Sequence, residues 1–216
     1  MSENKLKAVI FDLDGVIVFT DKFHYQAWKK MADEIGVYFD EEINNRLRGV
    51  GRMESLDIIL ERYEGEPLSQ EYKKILAAKK NDMYRELLYG MGPDDVSDEV
   101  RDTLAELKRR GYKLSIGSSS KNAKLILRQV RLTDAFDAIS DGTNISKSKP
   151  DPEVFIKAAE YLDVPCDNCL VVEDATAGID AAKAGYMYAA GIGDAMNYSL
   201  TDYPLTSFKD LLDICK

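Results

Sequence analysis

The stretch Ala8-Val9-Ile10-Phe11-Asp12-Leu13-Asp14-Gly15-Val16 limits the fold more than any other part of the chain. An apolar run leads directly into two carboxylates spaced i, i+2, and then a glycine. Short apolar runs of this kind read as buried strands. A core has little use for carboxylates, but open α/β sheets place their sites at the carboxyl ends of their strands. In an extended continuation Asp12 and Asp14 face the same way, because the side-chain period is two. A surface turn would use Asp and Gly too, and the stretch alone leaves both readings open.

The remaining pattern favours a sheet. After the first strand, at 7–11, residues 16–19 stay apolar and are expected to remain buried. From 21 to about 88 the chain reads as helices only. Phe23, Ala27, Met31 and Ile35 recur at four-residue spacing beside Trp28, and Ser69 is a candidate N-cap for a long helix. A Gly-Pro connector follows, and then helices alternate with strands at 113–116, 136–139, 170–172 and 187–190. Alternation of this kind implies right-handed crossovers and a parallel sheet. The expected fold is α/β, a Rossmann-like parallel-sheet core of 1–17 plus 93–216 with an inserted helical cap of 18–92.

Composition narrows the function. With 216 residues the chain can bury a sizeable core. A formal charge of −9 argues against a nucleic-acid binder, yet leaves room for a local cationic pocket. Cys166 and Cys169 have metal-site spacing but no second pair or histidine nearby, and read as incidental. The first residues lack the cationic start and apolar run of a signal peptide, and no membrane-length apolar run exists. A cytoplasmic protein is expected. Neither cap nor core has an obvious spare apolar helix face, so a monomer is expected.

Four polar clusters fall at or just beyond the ends of the expected core strands: Asp12/Asp14, Ser118-Ser119-Ser120, Lys149 and Glu173-Asp174. In a parallel sheet these ends share one edge. Carboxylates gathered there would repel unless a cation joined them, and hard oxygen donors suit Mg2+. A lysine offsets phosphoryl charge, serine hydroxyls and backbone N–H groups near Lys121 can hold phosphate oxygens, and aspartate can accept a phosphoryl group covalently. Each cluster alone has a plainer reading. The serines could cap a helix, Lys149-Pro150-Asp151-Pro152 could be a turn, and Glu173-Asp174 could be a solvated strand end.

Asp12-Leu13-Asp14-Gly15-Val16, Ser118, Lys149-Pro150 and Glu173-Asp174 together resemble the four-motif set of the haloacid dehalogenase-like superfamily. The helices after the first motif resemble that family's four-helix cap. His24-Tyr25-Gln26-Ala27-Trp28, Arg48-Gly49-Val50-Gly51-Arg52 with Ser55, Lys80-Asn81-Asp82 and Ser118-Ser119-Ser120-Lys121-Asn122 are similar to segments of its sugar-phosphate mutases. The resemblance implies that Asp12 is nucleophile and Mg2+ ligand, and that Asp14 is general acid/base with its carbonyl on the metal. It implies that Glu173 and Asp174 complete the metal site, and that Ser118 and Lys149 hold the transferring group. The resemblance also implies that Thr20, His24 and Lys80 belong to the hinge and to control of Asp14. It implies that Trp28, Arg48, Gly49, Val50, Arg52, Ser55, Ser120, Lys121 and Asn122 contact substrate, with Arg52 on the distal phosphate. The implied reaction interconverts β-D-glucose 1-phosphate and glucose 6-phosphate, with glucose 1,6-bisphosphate as intermediate and primer.

The chain departs from that pattern in places. Phe19 stands where an aspartate is usual, Arg48 replaces a lysine, Ser97-Asp98 replaces proline-glycine, and Asp151 replaces a small residue. Phe19 bears on the hinge and the sugar fit. Two other readings stand beside the mutase: a magnesium-dependent sugar-phosphate phosphatase of the same fold, and a non-catalytic sugar-phosphate sensor. The intact acidic and lysine motifs argue against the sensor.

Overall fold

A computed structural model of the chain describes residues 5–47 and 50–216. In chain order the elements are β1 (Ala8–Phe11), α1 (Asp21–Glu34), α2 (Glu41–Asn45), α3 (Arg52–Leu60), α4 (Gln70–Leu88), α5 (Asp98–Arg109), β2 (Lys113–Gly117) and α6 (Ala123–Gln129). They continue with β3 (Ala138–Ser140), α7 (Glu153–Leu162), β4 (Cys169–Glu173), α8 (Thr176–Ala184), β5 (Tyr188–Gly191), β6 (Tyr203–Pro204) and α9 (Leu211–Ile214). Two compact units result, Met1–Phe19 with Met91–Lys216, and Thr20–Gly90. No helix among the described residues is long and apolar enough to cross a membrane.

The first unit is built on a six-stranded sheet in the order β3-β2-β1-β4-β5-β6, with every neighbouring pair parallel. The expected α/β class is the one observed. β1 lies inside the sheet, and all four of its residues are fully buried, as a strand covered on both faces must be. Ala8 and Ile10 join a cluster with Val171, Phe155, Ala158 and Ile179. Phe11 stacks on Phe208 at 5.6 Å between ring centroids and meets Phe136 edge-on. Strand order reverses between β1 and β4, which opens a crevice at their carboxyl ends. At that point the chain enters Asp12 and Glu173.

Val16, Ile17 and Val18 are buried as expected, but Phe19 is 72% exposed. The cause is local. Gly15 N–H donates to Val18 C=O, and the amides of Ile17 and Val18 both return to Leu13 C=O. This closed loop ends at Val18 and leaves the next side chain outside. α3 begins at Arg52, behind an extended Gly51 N-cap. β6 is two residues long and had no sequence pattern to mark it.

In the second unit Trp28, Met31, Phe39, Ile43, Leu56 and Ile59 form the apolar centre. A polar seam joins α1 to α4. Tyr84 donates its hydroxyl proton to Thr20 Oγ1 at 3.0 Å. Lys80 Nζ, which can only donate, bonds His24 Nδ1 at 2.9 Å and lies 4.6 Å from the Trp28 ring centroid. The remaining imidazole proton therefore belongs on Nε2. Burial, with the positive charges of Lys80 and Arg52, holds His24 well below the usual histidine range, so it is neutral here.

Gly117, the last residue of β2, has no room for a side chain. A Cβ there would lie 2.6 Å from the Phe155 ring and 3.0 Å from Ile10 Cγ2. Gly117→Ala is expected to lower the unfolding free energy by about 1–3 kcal/mol, measured from the urea midpoint. His24 gives a second expectation. Its native pKa lies below its unfolded value near 6.5, so the unfolded chain binds more protons in acid and stability falls as pH drops below that value. His24→Gln should make the loss of stability between pH 7 and 5 shallower; an unchanged slope would refute the assignment of a neutral buried imidazole.

Candidate active site

Asp12 follows β1, and its N–H donates to Val172 C=O at 2.9 Å, extending the β1–β4 ladder by one bond. Glu173 is the last residue of β4. The two acidic side chains thus lie on adjacent strand ends, where Asp12 is 8% exposed and Glu173 1%. Lys149, 7% exposed, precedes a cis peptide to Pro150. Its ammonium donates to Asp12 Oδ1 and, at 2.5 Å, to Glu173 Oε1. The same nitrogen lies 4.7 Å from the Phe155 ring centroid. The other Glu173 oxygen accepts the backbone N–H groups of Asp174 and Ala175.

Two glycines make this packing possible. Gly15 has φ +92°, and a Cβ there would sit 2.1 Å from Asp174 Oδ2. A Cβ on Gly178 would sit 1.9 Å from the Glu173 carboxyl carbon. Neither glycine was singled out by sequence pattern for this purpose.

Carboxylate oxygens of Asp12, Glu173 and Asp174 lie within 4.8 Å of one another. Burial raises Asp12 well above the usual carboxylate range; Lys149 opposes the rise, while Glu173 and Asp174 add to it. Burial and the nearby Glu173 and Asp14 lift Asp174 to about 7, against the pull of Lys149. Burial also works against the charge on Lys149, yet Asp12 and Glu173 outweigh it and hold the ammonium above its ordinary value. Crowded, buried, all-oxygen donors, with Asp12 and Asp174 raised out of the ordinary carboxylate range, fit a hard divalent cation. Both Glu173 oxygens already have partners, so Asp12 and Asp174 are its most available donors. Asp14 stays outside the three-carboxylate group, half-buried in the loop that the bridge to Val18 closes.

Ser118 follows β2 on the same sheet edge and is buried. Its N–H donates to Ser140 C=O, and its Oγ accepts from Ser120 N–H. Ser120 Oγ in turn accepts from Asn122 N–H, so residues 118–122 form two consecutive hydroxyl-closed turns before α6. Asn122 is buried and Lys121 exposed. Asp141-Gly142, missed at the sequence level, supports this loop from β3. Gly142 N–H donates to Ser120 C=O, and a Cβ on Gly142 would meet Ser119 O at 2.3 Å. The Asp141 carboxylate accepts from Thr143 N–H and lies 3.6 Å from Lys124 Nζ. An Asp-Gly pair directly after a strand was the available signal.

The second unit holds the other expected residues. Thr20, His24, Trp28 and Lys80 form the seam described above. Arg52 opens α3, half-buried, and its Nη2 donates to Asn81 Oδ1 at 2.7 Å. Ser55 is buried one turn further on, and Val50 is half-buried. Arg48 and Gly49 lie outside the described residues. Cys166, Cys169 and Cys215 are free thiols, and burial pushes Cys169 up to about 12, which keeps it protonated and inert.

Comparison with known proteins agrees with this geometry. The model of the haloacid dehalogenase-like hydrolase family matches residues 6–185. The β-phosphoglucomutase of Bacillus subtilis is 41% identical over 207 residues, covering 95% of this chain and 92% of that protein. A phosphorylated carbohydrates phosphatase of Thermotoga maritima is 30% identical over 195 residues, covering 89% of this chain and 88% of that one. The crystal structure of a β-phosphoglucomutase from Clostridium difficile superposes with a TM-score of 0.89 at 35% identity, covering 97% of each chain. With its acidic strand ends meeting at the sheet's switch point and a family match across most of its length, the chain belongs to the haloacid dehalogenase-like hydrolase family.

Proposed function

We propose that the chain is a β-phosphoglucomutase, interconverting β-D-glucose 1-phosphate and glucose 6-phosphate through a phosphorylated Asp12 and bound glucose 1,6-bisphosphate. The observation that carries the chemistry is the buried carboxylate of Asp12, held by Lys149 beside Glu173 and Asp174. The likeness to mutases at 41% and 35% identity favours transfer back to sugar over release to water.

An oxygen of Asp12 forms a bond to a phosphorus of the bisphosphate as the bond from that phosphorus to the sugar oxygen breaks. Asp14 gives its proton to that oxygen. In the return step Asp14 takes the proton of a sugar hydroxyl, whose oxygen bonds to the phosphorus as the Asp12–phosphorus bond breaks. Lys149 stays protonated throughout and offsets the charge of the group in transit. Ser118 and the 118–122 loop hold its oxygens. Asp12 and Asp174, with Glu173 beside them, would hold Mg2+, which when bound supplies further positive charge to the phosphoryl oxygens. Arg52 takes the phosphate at the sugar's other end, because a guanidinium pairs in a fork with phosphate oxygens. The phosphatase reading remains the alternative, supported by the Thermotoga relative's name.

Product analysis separates the two. β-Glucose 1-phosphate with Mg2+ and a trace of the 1,6-bisphosphate should yield glucose 6-phosphate with no free phosphate; steady phosphate release from many substrates would instead establish a phosphatase. Asp12→Asn should remove turnover in either case, and surviving turnover would rule out the covalent route. Mg2+ should raise the melting temperature, since a ligand that binds only the native state stabilises it. That rise should vanish in Asp174→Asn, and chelation should stop turnover reversibly.

A further inference from the structure

The contact between Arg52 and Asn81 lies within the helical unit and needs a reason. Arg52 begins α3 and Asn81 sits in α4, and the bond between Nη2 and Oδ1 is 2.7 Å long. The guanidinium is half-buried, and burial lowers its pKa against the favourable charge of Asp82. Asp82, one residue along α4, is near enough to favour the guanidinium charge, yet the hydrogen bond goes to a neutral amide.

The choice of amide has a physical consequence. A carboxylate partner would orient the guanidinium and cancel much of its charge. An amide oxygen orients it and leaves the charge whole. Arginine carries five N–H donors, so one bond to Asn81 fixes the plane while the rest stay able to form a fork to an anion. Fixing the plane beforehand also removes the ordering cost that a free arginine would bear on binding. The charge is felt nearby: Arg52 and Lys80 both help keep His24 unprotonated. The helical unit thus gathers positive charge around a neutral imidazole, which suits a dianionic phosphate.

We infer that Asn81 is a positioning residue for Arg52, orienting the guanidinium for the second phosphate of a sugar phosphate without neutralising it. The inference rests on the proposed role of Arg52 in binding that phosphate. A bolt that merely joined α3 to α4 would change stability and leave substrate affinity alone.

The test uses the full chain with Asn81→Ala, Asn81→Asp, Arg52→Ala and the Arg52→Ala/Asn81→Ala double variant. For each, KM and kcat for β-glucose 1-phosphate, melting temperature, and the rate of Asp12 phosphorylation by acetyl phosphate are measured. Acetyl phosphate has no second phosphate and reports the core chemistry alone. Asn81→Ala should raise KM about tenfold, the loss expected for one hydrogen bond to a charged group, with kcat within about twofold and the acetyl phosphate rate unchanged. Asn81→Asp should keep or raise the melting temperature and still raise KM, a combination that a structural bolt would not produce. In the Arg52→Ala background, loss of Asn81 should add nothing further. A wild-type KM in Asn81→Ala, where Arg52→Ala raises it, would overturn the inference and leave the role of Arg52 standing. An equal further loss in the double variant would overturn it too. Unchanged KM in Arg52→Ala would remove the distal-phosphate role and this inference with it.

Discussion

One ammonium group held between two buried carboxylates organises the sheet unit. Lys149 bonds Asp12 beyond β1 and Glu173 at the end of β4. These strands are neighbours in register, so running both past their last apolar pair sets two acidic groups side by side. Burial and the neighbouring Glu173 and Asp174 raise Asp12 well above the usual carboxylate range, and Lys149 opposes that rise. Ion pairs at this depth contribute little net stability, because desolvating the partners costs about as much as their attraction provides. Packing does not require the arrangement; the proposed phosphoryl transfer does. The nucleophile proposed at Asp12 needs to be ionised, shielded from bulk water and faced by positive charge; burial at the strand end shields it, and Lys149 favours the ionised form and supplies the positive charge.

The supporting structure is mostly made of space. Gly15 and Gly178 leave room for Asp174 and Glu173. Gly117 leaves room for Phe155, on whose ring Lys149 rests. In each case the glycine sits beside a functional group whose position a methyl would displace. On the next strand outward, Asp141 and Gly142 brace the 118–122 loop by the same means, a close backbone approach together with hydrogen bonds. The site is therefore specified by missing atoms as much as by the acidic and basic side chains.

That division explains what could be read beforehand. Asp12, Lys149 and Glu173 were legible because each stands out chemically against an apolar strand or a proline-marked turn. The parallel sheet was legible because strands alternate with helices, and the long helix of the other unit because Ser69 accepts from Tyr72 N–H as a true N-cap. The glycine clearances and Asn81 were not, because each depends on a residue distant in sequence, to which local pattern is blind. Phe19 misled for a related reason. Three apolar neighbours suggested burial, but the hydrogen bonds that close the loop at Val18 set its side chain outside. β6 escaped because two residues cannot display a period, and its proline is tolerated only at a sheet edge.

The two units handle charge in opposite senses. In the sheet unit, carboxylates converge until two of them are raised well out of their ordinary range, a state that a divalent cation relieves. In the helical unit, burial pushes an imidazole pKa down and the charges of Lys80 and Arg52 add to it, a gathering of positive charge that an anion relieves. A net charge of −9 conceals both. For the proposed reaction this contrast is useful. The phosphoryl group in transit must be held by cations at a carboxylate nucleophile, whereas the second phosphate needs a cationic grip with no nucleophile near it. A helix-borne arginine, oriented by an amide as inferred, would provide the second without repeating the first.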